Sequence, residues 1–206
     1  MKRTDDPAGL LLAMMEPSPA FEAEFQDWYD LEHFPERAEI DGFLTATRLI
    51  CIDGWPRYLT LYDLADVDVL RGNGYGRVAG TNYSRWTNRV TSRLWGQYRA
   101  EAVQIYPGQA RLEDGGHYSR VMLWRFRDLP PAAGDAVVQG LRTLYEGRAE
   151  TAQVRVFTSP QKDATDLIGL VELHAPYSPS PGVVEVFGES LRHLDMVNTY
   201  TRYNRS

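Results

Sequence analysis

Apolar positions along the chain fall into short dense runs separated by proline and glycine, the pattern of buried strands alternating with helices. Gly9 to Met15 is one such run, bounded by Pro7 and by Pro17-Ser18-Pro19, and predicts a buried strand. Ser18-Pro19 offers an N-cap followed by proline at the first helical position. The helix it opens runs to about His33, where Pro35 ends or kinks it. Asp41-Gly42 turns the chain into a second strand, Phe43 to Ile52. Asp53-Gly54 signals a hairpin, with Tyr58 to Leu64 as its return strand. A polar, glycine-rich stretch, 66–80, leads to a helix over Tyr83 to Leu94 and a fourth strand over Tyr98 to Tyr106. The order is β-α-β-β-α-β.

Pro107 to Gly116 is polar and turn-rich, and after it the same order recurs. Strands are expected at Tyr118 to Phe126, Ala152 to Thr158, Leu167 to His174 and Val197 to Tyr203, with helices from Pro130-Pro131 to about Glu150 and over Val183 to Leu194. Thr45 to Ile50 aligns with Ala152 to Phe157, and Tyr58 to Leu64 with Leu167 to Leu173. The expected fold is therefore α+β: two tandem ferredoxin-like repeats, 1–106 and 117–206, joined by a linker at 107–116. Alternation in the strands is weak, so both sheet faces are buried, and antiparallel sheets packed face to face form an intrachain α/β barrel.

Composition changes this picture little. The chain has 206 residues, 43% hydrophobic and 24% charged, which is ordinary for a globular protein. A net charge of −6 gives no electrostatic reason to expect nucleic acid or an anionic membrane. No apolar run approaches the roughly 20 residues of a spanning helix. Arg3 to Asp6 reads as a disordered tail, and the lone Cys51 fits a reducing, cytoplasmic setting and a packing role.

Candidate chemistry concentrates in the first helix. At about 3.6 residues per turn, Phe21, Phe25 and Trp28 form an apolar stripe, with Glu32 one turn beyond Trp28 and aimed at the core. His33 falls on the flank beside Tyr29, at a helix C-terminus that favours its protonated form. Against a functional role stands a structural one of equal weight: Glu32 pairs with Arg37, Arg48 or Arg57, and His33 caps the last carbonyls. The glycine-rich Arg71 to Gly80 segment reads as a lid rather than a phosphate cradle. His117, His174 and His193 are scattered without metal-ligand spacing, so no metal site is expected.

The run Trp28-Tyr29-Asp30-Leu31-Glu32-His33-Phe34-Pro35-Glu36-Arg37, then Gly42-Phe43, then Arg57 to Tyr62, resembles the dimeric α/β-barrel superfamily, in particular members with a WY-x-x-EH-x-P-x-R signature, and more distantly EthD-like proteins. The likeness covers 9–106; Val137 to Arg148 in the second half has no counterpart of the motif. It implies a ferredoxin-like fold with a pocket between sheet and helices, in the first half only, and relatives that include cofactor-independent monooxygenases, isomerases, lyases and haem-binding proteins. Two functions follow as expectations. One is a small-molecule enzyme without a tightly bound cofactor, using His33, Glu32 and Tyr62 for acid/base work on an aromatic, lactone or polyketide-like substrate held by Trp28, Tyr29, Tyr75 and Trp86. The other is a non-catalytic ligand-binding or stress-related module, with haem left open because one histidine suffices as an axial ligand. The expected partner is a small organic molecule, with a homodimer left open.

Overall fold

Apolar strands set the architecture, those at Gly9–Pro17, Tyr58–Leu64 and Thr165–Leu173 with both faces covered and those at Leu94–Tyr106 and Leu194–Arg202 with one face partly exposed. The computed structural model of the chain describes residues 8–130, 133–161, 164–177, 179 and 181–205. The tail at Arg3 to Asp6 and the expected helix start at Pro131 lie outside them. The strands are β1 (Gly9–Pro17), β2 (Thr47–Asp53), β3 (Tyr58–Leu64), β4 (Leu94–Tyr106), β5 (Arg120–Leu129), β6 (Thr151–Pro160), β7 (Thr165–Leu173) and β8 (Leu194–Arg202). They close into one antiparallel barrel in the order β1-β3-β2-β8-β5-β7-β6-β4. The sheets of the two halves thus do more than face each other: their edges zip together, β2 to β8 and β4 to β6.

Residues alternate between the inside of the barrel and a helical layer outside it. Leu10, Leu12, Met14, Leu59, Leu61, Leu123, Ile168 and Leu170 fill the interior. Met15, Tyr58 and Tyr62 face helices of the first half, while Trp124, Val156 and Val171 face those of the second. Leu112 from the connecting segment also enters the interior, so 107–116 plugs a barrel end rather than hanging as a linker. The expected match of Tyr58 to Leu64 with Leu167 to Leu173 keeps inward residues on inward residues. The match of Thr45 to Ile50 with Ala152 to Phe157 is one residue out of step: Leu49 pairs with Leu59 and Phe157 with Ile168, so Leu49 corresponds to Phe157. A one-residue slip exchanges the faces, which is why Arg48 lies outside the barrel and Arg155 inside.

Helices differ more from expectation than strands. The first begins as a 3₁₀ turn at Pro19–Phe21 and continues as α1 (Glu22–Trp28), a π turn (Tyr29–His33) and α2 (Phe34–Ala38). Pro35 therefore does not end it: the wider turn upstream absorbs the lost N–H, and Phe34 N donates to Tyr29 O. Short α3 (Asn73–Gly76) and α4 (Arg85–Thr91) complete the first layer, with the Ser84 hydroxyl accepting from Thr87 N as the cap of α4. In the second layer α5 (Gly134–Tyr145) packs on the barrel, but Pro181–His193 is 3₁₀ backbone broken at Gly188 rather than the expected α-helix. Gly140 is needed there, because a Cβ would sit 2.4 Å from the Phe187 ring.

Candidate functional site

Between β1, β3 and β4 and the first helical layer lies a cavity of about 100 Å³. Leu11, Ala13 and Met15 of β1 and Tyr62 of β3 form its floor; Trp28, His33 and Arg37 come from the broken helix, Tyr75 from α3, and Tyr98 and Arg99 from β4. Of the residues expected from sequence, Trp28, His33, Tyr62 and Tyr75 meet here. Tyr29 stands just behind, its ring 5.1 Å from that of His33 and its hydroxyl 2.6 Å from Thr60 Oγ1. Trp86 packs in the neighbouring aromatic cluster and does not line the cavity.

Glu32 is not where an ideal helix would put it. The π turn shifts the phase of the side chains, so Glu32 turns out of the apolar stripe, keeps part of its surface, and accepts from Ser84 Oγ at 2.5 Å and Thr87 Oγ1 at 2.8 Å. Thr87 also accepts from Trp28 Nε1 at 3.0 Å. Glu32 therefore ties α4 to the first helix and pairs with none of Arg37, Arg48 and Arg57. Its negative charge also sits at the positive end of α4.

His33 takes the inward place. Its ring lies 4.1 Å from that of Trp28, and its Nδ1 is buried without a hydrogen-bond partner. The expected protonated state is overturned. Burial, with the nearby Arg37 and Arg48, holds the imidazole well below its usual range and keeps it neutral. Local charge and desolvation outweigh a helix terminus that continues past His33 rather than ending there. Beside it the Tyr62 hydroxyl is also buried and without a well-formed partner, and burial with the adjacent Tyr29 raises its pKa well above that of a free phenol.

Sequence reasoning named Arg37 and Arg48 only as ion-pair partners for Glu32 and did not place an arginine at the cavity. Arg37 is 2% exposed and donates to the carbonyls of His33 and Val78, both at 3.2 Å, so it pins the Arg71 to Gly80 segment over the site. Arg99 donates to the Tyr75 hydroxyl at 3.1 Å. Arg48 is stacked between Tyr29 and Tyr203, at 4.2 and 4.5 Å, and binds Gln26 and Asp30. An arginine three or four positions beyond a buried histidine on one helix is the signal that could have marked Arg37.

Haem does not fit the described residues. The cavity is smaller than the roughly 300–1,000 Å³ of pockets for drug-sized ligands. The corresponding layer of the second half is filled by Trp124, Leu141, Tyr145 and Phe187. His174 and His193 lie outside that packing, each with Nδ1 against a backbone carbonyl. Among the described residues no group of three or more histidine, cysteine or acidic side chains could hold a metal ion.

No family model matches the sequence, and no curated protein is similar to it. Solved structures are. An anthrone oxidase-like protein is 13% identical with a TM-score of 0.69, over 98% of this chain and 93% of the other. A candidate monooxygenase from Lactobacillus acidophilus NCFM is 10% identical with a TM-score of 0.54, over 96% and 94%. A mutant chlorite dismutase from Candidatus Nitrospira defluvii, in complex with cyanide, is 10% identical with a TM-score of 0.51, over 98% and 92%. At such identities the likeness is one of fold: the chain shares with these proteins the architecture of its closed eight-stranded antiparallel barrel and outer helices.

Proposed function

We propose that the chain is a small-molecule enzyme that works by proton transfer in the cavity of the first half, without a tightly bound cofactor. The observation that carries this reading is the buried His33 Nδ1, without a hydrogen-bond partner, on the same cavity as the buried Tyr62 hydroxyl, whose polar neighbour is Tyr29. A buried group left unsatisfied, as His33 Nδ1 is, costs about 1–3 kcal/mol, a cost that a bound substrate would relieve. A neutral imidazole can take a proton from a substrate carbon, and a phenol that stays protonated can donate to the oxygen on which charge develops. The imidazolium then returns its proton at a second position in an isomerisation, or to a leaving group in an elimination. With dioxygen as co-reactant, a methylene carbanion would give a carbonyl and one water, the chemistry suggested by the anthrone oxidase-like and monooxygenase-like neighbours.

Glu32 acts in this scheme by holding α4 rather than by touching substrate, and the Arg71 to Gly80 segment is the lid. The repeated strand order and the distribution of these groups also support reading the chain as tandem ferredoxin-like repeats, 1–106 and 117–206, with the site in the first only. The EthD-like kinship and a cytoplasmic setting belong to the same proposal. The alternative is a module that binds its ligand without turning it over, favoured by the small volume of the cavity, about 100 Å³. Turnover of enolisable aromatic ketones and lactones by wild type and His33→Gln separates the two. The enzyme reading expects a loss of about 10²–10⁴-fold with ligand binding kept; equal rates in both proteins would refute it.

A further inference from the structure

Resting on this placement of the site, we infer that its ligand is a compact organic anion, a carboxylate on a single aromatic ring. The cavity wall contains two arginines, Arg37 and Arg99, and among the described residues no aspartate or glutamate, in a protein whose net charge is −6. Arg37 is almost fully buried, yet its hydrogen bonds go to two neutral carbonyls, and its ion-pair partner, Glu36, stands 3.6 Å away with part of its surface in solvent. A buried cation needs a counter-charge. On the other side, Arg99 shares its charge with Glu101 at 2.6 Å, outside the wall, and holds the Tyr75 hydroxyl over the cavity.

The remaining surfaces select shape. Met15 and Trp28 supply apolar walls for a flat ring. A volume on the order of 100–150 Å³ holds one benzene ring and little more. Planar guanidinium groups bind carboxylates in two-point fashion. A ring carboxylate would thus answer the arginines, with its far edge against His33 and Tyr62.

The test is calorimetric titration of the full chain with benzoate and with its neutral isostere benzamide, for wild type and Arg99→Gln. The half-exposed Arg99 is chosen because replacing the buried Arg37 endangers folding. Benzoate is expected to bind at least about tenfold tighter than benzamide, and Arg99→Gln to remove about tenfold of that for benzoate alone. Equal binding of the two compounds, unchanged benzoate affinity in Arg99→Gln, or no binding of either would overturn the inference. His33→Gln keeps the two ideas apart. Charge-selective binding that survives this substitution, with no His33-dependent turnover of any substrate, supports the anion site while removing the acid/base reading. Charge-blind binding with His33-dependent turnover does the opposite.

Discussion

At the residue scale, the π turn over Tyr29–His33 decides which of two adjacent side chains faces the cavity. The sequence made the helix and its aromatic stripe visible, and it singled out Glu32 and His33. Their directions were not readable, because a pitch of about 3.6 residues per turn was applied where the backbone is wider. Neutral burial of His33 has a thermodynamic consequence. Its folded pKa lies well below the ordinary 6.5, so the unfolded chain binds the proton more readily. The contribution is complete above pH 6.5 and falls as pH drops toward the folded value, by up to about 1.4 kcal/mol per pH unit. Urea melts at pH 7.5, 6.5 and 5.5 should therefore show wild type losing stability relative to His33→Gln as the medium is acidified. A constant difference between the two proteins would mean the imidazole is not buried neutral.

At the element scale, strand alternation carries a second message. Asp63 follows Leu59 and Leu61 on the inward face of β3, Arg155 precedes Phe157 on β6, and Glu172 follows Leu170 on β7. The three meet inside the barrel, with Arg155 2.7 Å from Asp63 and 3.0 Å from Glu172. Asp63 also accepts from Leu112 N and Glu172 from Glu113 N, which fixes the plug. One cation between two carboxylates leaves an excess negative charge, and burial pushes Glu172 up to about 7, so a proton balances the cluster near neutrality. This raised value opposes His33: it favours the fold below pH 4.5 and the gain is lost as pH rises through about 7. The two groups thus partly cancel in wild type, and only comparison of variants resolves them. These charges were not legible as inward positions, since apolar residues on both faces hid which face was inside. Arg155→Met should destabilise by about 3–5 kcal/mol, because it strands two buried carboxylates. Chemical denaturation measures this, and a loss below about 1 kcal/mol would mean the cluster is not sealed.

At the scale of the whole molecule, the bounds of β3 were readable from its apolar run after the Asp53-Gly54 turn, those of β1 and β7 to within two residues, and the element order from their succession. Closure was not, because edge pairing between β2 and β8 depends on distant residues and leaves no local trace. The joined edges predict that the peptide link between the halves is dispensable. Residues 1–108 and 109–206 produced as separate chains should recombine into one complex when mixed, seen as a single species of full mass by light scattering. Each half alone keeps two bare strand edges and should aggregate. Monomeric, well-behaved halves that ignore each other would count against a barrel held by those seams.

The same seams set an order of events during synthesis. β2 leaves the ribosome well before β8, yet each completes the other's ladder. Until then the first half carries an unpaired edge beside an open barrel, with Leu112 and the plug lacking the β6 and β7 partners that hold them. Pairings this distant in sequence form slowly and leave apolar surface uncovered while they wait. The nascent chain is consequently a client for protection until β8 has emerged, and those nine residues act as the stitch that ends the barrel's exposure.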